Sequence, residues 1–344
     1  MFKNRGLAYK LSRSLLTMVF IVLSALLIYN YITSRNLALS DAQKDVESLT
    51  ELTVAQIENV LNTVENIPGS LASVIQHRDT IRFIGTRLVI EEVLSNNPFV
   101  YGASIAFAPR ISGRDTLYFA PYLHFDGDSL IYKDLAQEQE YSYFTQAWYT
   151  AARDSGKAIW SEPYFDLGGG NALMATYSVP FYRKRGKEKV FSGVVTADLS
   201  LLGLQELINE IRFFESGRGF LISSAGNIVT FPEIDSTDGK FIYNIFDQVE
   251  APGLISVIRK MTAGESGIAS MKKIDPGRND EQWISYASVP SASWSLGILF
   301  KENELYEGIH ILYLKLISIG LAGFLLLSFL ILYISRRFVK PLEK

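Results

Sequence analysis

The sequence predicts an α/β fold of the α+β kind: a long N-terminal helix plus two tandem mixed-sheet modules, flanked by two transmembrane helices. Three observations predict it. Two long apolar blocks stand near the ends of the 344-residue chain. A stripe of apolar residues spaced three and four apart follows the first block, the signature of one helix face. Between that stripe and the second block, apolar and polar residues alternate in two successive sets of runs, the signature of half-buried strands.

The first block, 15–32, reads LLTMVFIVLSALLIYNYI and is long enough to cross a bilayer as a helix. Lys3, Arg5, Lys10 and Arg13 precede it in a cytoplasmic N-terminus, 1–14, and Tyr29 and Tyr31 mark its outer end. The run is longer than a signal-peptide core, and no A-x-A cleavage site follows it. A stalk helix over 36–78 comes next. Val46, Leu49, Ile57, Val60, Val64, Ile67, Leu71 and Val74 form its seam, with Thr53 at the missing position. Pro68-Gly69 is expected to kink or interrupt it. Such a stripe suits either packing on a core or pairing of two copies, and a homodimer is expected.

A first module spans 79–212. VYGASIAFAP alternates as a strand, and TLYFAPYLHF and SLIYKDL flank Asp126-Gly127-Asp128, which reads as a hairpin turn. A calcium loop would need further ligands that the sequence lacks. Residues 143–153 are helical in composition. ALMATYSVPFY and VFSGVVTADLSL are strands joined by the basic tip Arg183-Lys184-Arg185-Gly186-Lys187, a solvated turn rather than a nucleic-acid patch. LLGLQELINEI then leaves the module as a helix. A second module, 213–301, repeats the order with GFLISSAGNIVTF, a helix near 254–261, and the runs SGIASMKKI, QWISYASVP and WSLGILF. A connecting helix, 302–315, enters the second apolar block, 316–334, which Arg336, Arg337 and Lys340 follow. Both termini are thereby cytoplasmic, and the modules lie outside.

The net charge of −3 leaves no electrostatic footprint for nucleic acid, and the absence of cysteine excludes disulfides and cysteine nucleophiles. His77, His124 and His310 are isolated, so no metal is expected. There is no nucleophile elbow or dinucleotide fingerprint, and Gly168-Gly169-Gly170 lacks the Lys-Ser/Thr of a phosphate cradle. No catalytic residue and no cofactor is assigned, and the segment is not read as an enzyme. The triglycine reads instead as a flexible turn, a lid beside a pocket.

The candidate site lies in 141–199. Tyr141, Trp148, Tyr149 and Tyr164 supply rigid apolar walls with polar tips, and Asp166 and Asp198 supply fixed negative charge. Tyr141 and Gln146 add hydrogen-bond donors. The order Trp148-Tyr149, Tyr164 within Pro-Tyr-x-Asp, and Asp198 after Gly193-Val194-Val195 resembles double Cache (dCache) sensor domains. The resemblance covers roughly 36–307. It implies two PAS-like modules in an extracytoplasmic sensor, in the inner membrane of a bacterium, with a small-molecule ligand in the first module. In amino-acid-binding members of that family, an Arg two positions before the Trp clamps the ligand carboxylate, and the Asp near the last strand takes the ammonium. Gln146 occupies that Arg position here, so the pocket carries over and the amino-acid specificity does not. The ligand class stays open among amino acids, amines and carboxylates.

SRRFVKPLEK, 335–344, resembles the opening of a HAMP linker. WSEPYFDLGGGNALMATYSVPFY resembles the sensor half that precedes protein phosphatase 2C-like serine phosphatases and some histidine kinases, which favours one of those outputs. A methyl-accepting chemotaxis receptor, or a membrane-tethered extracytoplasmic enzyme, is the alternative.

Overall fold

The computed structural model describes residues 7–76, 83–112, 115–210, 215–231, 242–248, 252–270, 282–334 and 337. His77 and most of the expected linker opening, 335–336 and 338–344, lie outside the described residues. The chain forms two compact units, Met1–Val46 with Lys301–Lys344 and Glu47–Phe300.

Helix α1 spans Leu7–Gln76 with Pro68 inside it. The expected interruption does not occur. Proline removes one backbone hydrogen bond at a cost of about 3 kcal/mol, and the apolar face on either side of it offsets that cost by burial. Val60, Val64, Ile67, Leu71 and Ile75 are all buried. Val74, placed on the seam by its spacing, is exposed, and Ile75 takes its position one helical turn after Leu71. Thr53 does sit on the buried face, its Oγ1 bonded back to the Leu49 carbonyl at 2.8 Å.

The first module follows in chain order: α2 (Phe83–Ser95), β1 (Val100–Phe107), the small hairpin β2 (Arg110–Ser112) and β3 (Asp115–Leu117), β4 (Pro121–Asp126) and β5 (Ser129–Asp134). Next come a 3-10 turn (Tyr143–Thr145), α3 (Ala147–Ser155), β6 (Ile159–Trp160), β7 (Tyr164–Phe165), β8 (Leu173–Arg185), β9 (Glu188–Ser200) and α4 (Leu201–Glu210). The helix expected over 143–153 is split, because Gln146 is extended at φ −64° and ψ 146° between the 3-10 turn and α3. The sheet order is β5-β4-β1-β9-β8-β6, and β7 also pairs with β8.

The second module contains β10 (Arg218–Ser223), β11 (Ile228–Thr230), α5 (Ile245–Gln248), α6 (Pro252–Thr262), β12 (Gly267–Ser270), β13 (Gln282–Val289) and β14 (Trp294–Lys301), and α7 (Glu302–Ile334) follows. Its sheet runs β11-β10-β14-β13-β12. In β4-β1-β9-β8-β6 the last long strand likewise lies beside the first, so the two sheets repeat one winding order. Strand directions are antiparallel in every pairing described; the fold mixes helix with sheet, not parallel with antiparallel strands. Both expected turns are hairpin tips, with Gly127 at φ 57° between β4 and β5 and Gly186 at φ 65° between β8 and β9.

Side chains from both modules and α1 meet at one junction. Trp160 of β6 donates Nε1–H to Glu65 Oε1 of α1 at 2.8 Å. Its ring centroid lies 5.9 Å from that of Trp294 in β14. The Asn227 amide, beside β11, donates to Glu162 at 3.1 Å, and Glu58 of α1 accepts from both the backbone and the hydroxyl of Ser291.

In the other unit, Phe20 packs edge-on against Phe324 at 5.7 Å, and Tyr31 lies 4.5 Å from Tyr313. α1 and α7 each contain a stretch long and apolar enough to cross a membrane. Large apolar side chains such as Phe20, Ile28, Leu326 and Phe329 are exposed along them, the pattern expected where lipid, not water, is the solvent.

Candidate ligand-binding site

Strand register builds the floor of the site. Residues paired across neighbouring strands point to the same face. One row across β8, β9, β1 and β4 is Thr176, Asp198, Gly102 and His124. The next row is Ser178, Thr196, Ser104 and Tyr122. One face of this sheet is therefore polar over two full rows, yet none of these non-glycine side chains is more than 5% exposed. The opposite face, with Ala103, Ile105, Leu123, Ala175, Val195 and Ala197, is buried and apolar.

The 3-10 turn, α3 and the loop after β7 cover the polar face. Asp166 on that loop is held at both oxygens. Tyr141 donates to Oδ1 at 2.6 Å, and the Gly170 amide donates to Oδ2 at 2.7 Å. Trp148 Nε1–H donates to the Tyr141 hydroxyl at 3.2 Å. Below them, Thr176 donates to Asp198 Oδ1 at 2.8 Å, and the Tyr164 hydroxyl lies 2.7 Å from Thr176 Oγ1. Since the Thr176 proton goes to Asp198, Tyr164 is the donor in that pair.

The triglycine loop is not loose. Tyr101 donates to the Gly170 carbonyl at 2.7 Å, Lys133 to the Gly169 carbonyl at 2.9 Å, and the Gly168 amide to Asn171 Oδ1 at 2.8 Å. Gly168 has φ 89°, which favours glycine. A Cβ on Gly169 would overlap the Asp166 carboxylate, and one on Gly170 would lie 2.6 Å from the Tyr122 hydroxyl. The glycines serve close approach to the acid and the tyrosine rather than flexibility.

Asp198 is pushed up to about 7, first by burial and then by the charge of Asp166, against the opposing hydrogen bond from Thr176 and the nearby Tyr122 hydroxyl. Burial, and next Asp166, raises Tyr141; burial, and next Asp198, raises Tyr164 and Tyr122. These phenols stay protonated donors at neutral pH. The Tyr122 hydroxyl, the His124 Nε2 and the Ser104 and Ser178 hydroxyls are buried on the polar face with no hydrogen bond of good geometry. Leaving such groups unpaired is costly, and four on one face suit a site that exchanges polar contacts with a ligand.

Of the seven residues proposed from sequence, Tyr141, Trp148 and Asp166 share one hydrogen-bonded chain, and Tyr164 and Asp198 share another through Thr176. Tyr149 instead packs its ring on Tyr143, Trp148 and Phe191 in the hydrophobic core beside the site. Gln146 is half-buried, and its backbone carbonyl starts α3 by accepting from Tyr149 and Thr150. Tyr101, Tyr122 and Thr176 were not singled out from sequence, and His124, set aside there as isolated, is buried on the polar face.

Gly102 tests the packing of the floor. A Cβ there would lie 2.5 Å from the Tyr122 hydroxyl. Gly102→Ala is expected to cost about 2 kcal/mol by overpacking, measured by denaturant unfolding. A Tyr122→Phe background should reduce that cost; an equal cost in both backgrounds would place the conflict elsewhere.

Two antiparallel sheets of one winding order, the first with buried acids under an aromatic cover, make a tandem α/β module. Residues 86–206 match the family model described as methyl-accepting chemotaxis protein-like, first PDC sensor domain. The chain is 22% identical over 312 residues to the methyl-accepting chemotaxis protein McpG of Pseudomonas putida, a span of 89% of this chain and 42% of that protein. The extracellular domain of the histidine-kinase-like protein mmHK1S-Z3 superposes with a TM-score of 0.62 at 22% identity, over 80% of this chain and 98% of that one. The ligand-binding domain of the Pseudomonas aeruginosa chemoreceptor PctC, solved with GABA, gives 0.53 at 20% identity, over 75% and 99%. The chain spans less than half the length of the curated relatives it matches. The chain has the fold of a double Cache sensor domain, between helices long and apolar enough to cross a membrane.

Proposed function

We propose that the first module binds a small molecule through a cationic amine, and that this chain is the input half of a chemoreceptor-type signalling protein. One observation carries the ligand reading: two buried carboxylates, Asp166 and Asp198, lie close enough for the charge of one to raise the other. Lys133 reaches this loop, but it is engaged by the carbonyls of Gly168 and Gly169. Gln146 replaces the Arg that the family resemblance would put against a ligand carboxylate. An ammonium donating to Asp198 and stacked among Trp148, Tyr141 and Tyr164 satisfies this surplus of negative charge. The ligand solved in the PctC domain, GABA, also carries a primary amine.

The sequence reading favoured a phosphatase or kinase output. The curated relatives are chemotaxis proteins, which supports the methyl-accepting alternative instead. In this reading both termini are cytoplasmic, the modules are outside the inner membrane, two copies pair, and the segment itself binds without catalysing. Binding shifts a population between two packings of the modules, and the ligand can bias it only through differential affinity.

The test is a thermal or chemical unfolding series on the full chain in nanodiscs with matched probes: butylamine, norvaline, GABA and butyrate. Butylamine is expected to stabilise by about 2.7 kcal/mol at a hundredfold excess over its dissociation constant, and butyrate to do nothing. Stabilisation by butyrate alone, or turnover of any probe, would overturn the reading.

A further inference from the structure

The first module contains an opening on the α1 and α4 side of its sheet, lined by none of the buried acids. It has a volume of about 460 Å³ and lies between α1, the start of β1, the tip of the β4–β5 hairpin and α4. Its walls are largely apolar, with Val60, Phe99, Phe125 and Leu204 among them, and among the described residues Glu206 is the one charged side chain lining it. Tyr101 belongs to both places. Its side of β1 forms part of this cavity, while its hydroxyl holds the Gly170 carbonyl at 2.7 Å. The Gly170 amide in turn holds Asp166 at 2.7 Å. Two hydrogen bonds therefore separate the cavity wall from the acid site.

We propose that this cavity is a second binding site, for a compact apolar molecule with a cationic head. The apolar walls take the body of the ligand, and Glu206, exposed at the mouth, takes the charge with little desolvation. An occupant that moves the Tyr101 ring alters the hold on Gly170, and so the loop that presents Asp166. This coupling rests on the acid-site reading; binding in the cavity does not.

The chain has no cysteine, so Gly203→Cys puts a single thiol in the cavity wall. A Cβ at Gly203 meets only the Ser200 side chain, at 3.8 and 3.9 Å, so the substitution fits. Alkylation of that thiol by N-ethylmaleimide, on the full chain in membrane vesicles, is expected to slow about tenfold with benzylamine at ten times its dissociation constant. Benzyl alcohol should protect less, and benzoate not at all. A Leu202→Cys thiol, on the exposed side of α4, should react at one rate with or without the probes. Adding Glu206→Gln should remove the preference for benzylamine over benzyl alcohol.

Protection of Gly203→Cys should persist when Asp198→Asn is added, so failure of the acid-site reading is distinguishable from failure of this one. Tyr101→Phe keeps the ring and removes the bond to Gly170. It is expected to leave protection intact and to abolish any effect of benzylamine on butylamine affinity at the acid site. No protection at Gly203→Cys, or equal protection at Leu202→Cys, overturns the site; protection by benzoate equal to that by benzylamine overturns its ligand class; coupling that survives in Tyr101→Phe overturns the route.

Discussion

Asp198→Asn is expected to flatten two pH dependences that run in opposite directions. Burial, and next Asp166, moves this carboxyl from 3.8 up to about 7 in the folded protein. A group whose folded pKa is raised favours folding below its unfolded value and loses that contribution as the pH rises through the folded value. A shift of about three units corresponds to about 4 kcal/mol. The ligand-free wild type should therefore lose about that much stability between pH 4 and 7 relative to the Asn variant. Asn keeps an acceptor for Thr176, which bonds Asp198 Oδ1 at 2.8 Å, so the variant isolates the charge. Affinity for an amine has the opposite slope, because the ligand needs the ionised form. It should fall about tenfold per pH unit below 7 in the wild type and be weak and flat in the variant. Chemical unfolding and amine titration at a series of pH values measure both. Parallel curves for the two proteins would mean that Asp198 does not titrate in this range.

The cover of this site and Asp198 of its floor were readable in the sequence; the rest of the floor was not. Tyr141, Trp148, Tyr164 and Asp166 fall within one local stretch, and local spacing carries that information. Tyr122 and His124 lie on β4 and reach the site only because β1 pairs with β4 on one side and with β9 on the other, with a register irregularity between Val100 and Gly102. That pairing joins residues nearly a hundred positions apart, such as Gly102 and Asp198, and alternation within a strand does not specify a partner. Thr176 looks like any strand threonine until Asp198 is set beside it.

Helix α2 escaped for a different reason. FIGTRLVIEEVLS carries β-branched residues and no capping signal, and its packing on the sheet decides its state. Tyr149 follows Trp148 directly, and on a helix adjacent residues do not share a face. Both are buried in one cluster, but only Trp148 turns a donor toward Tyr141, and the Tyr149 hydroxyl has no partner among the described residues. The apolar blocks and both hairpin tips were legible because composition alone, or a glycine at positive φ, fixes them.

Trp160 is expected to separate ligand binding from its transmission. It sits in β6 between α3, which carries Trp148, and β7, which carries Tyr164. Its ring lies 5.2 Å from Tyr177 within the module and 5.9 Å from the buried Trp294 of the second module. Its Nε1–H holds Glu65 of α1 at 2.8 Å. Trp160→Ala should destabilise the chain by about 3 kcal/mol, the lower end of the range for such truncations, because the ring is only half-buried. Trp160→Phe keeps an aromatic surface and removes the hydrogen bond to a carboxylate, a loss of about 2 kcal/mol. A double-mutant cycle with Glu65→Ala should assign most of that loss to the pair. The functional prediction concerns the Phe variant. Its butylamine affinity should be close to wild type, since Trp160 donates to Glu65 and not to Asp166 or Asp198. Ligand-induced protection of the β14 amides from hydrogen exchange should be lost, because the bond tying β6 to α1 at this junction is gone. Packed junctions of this kind switch between discrete arrangements rather than deforming smoothly. If β14 is still protected on ligand addition in both Trp160→Phe and Glu65→Ala, the signal leaves the first module by another path.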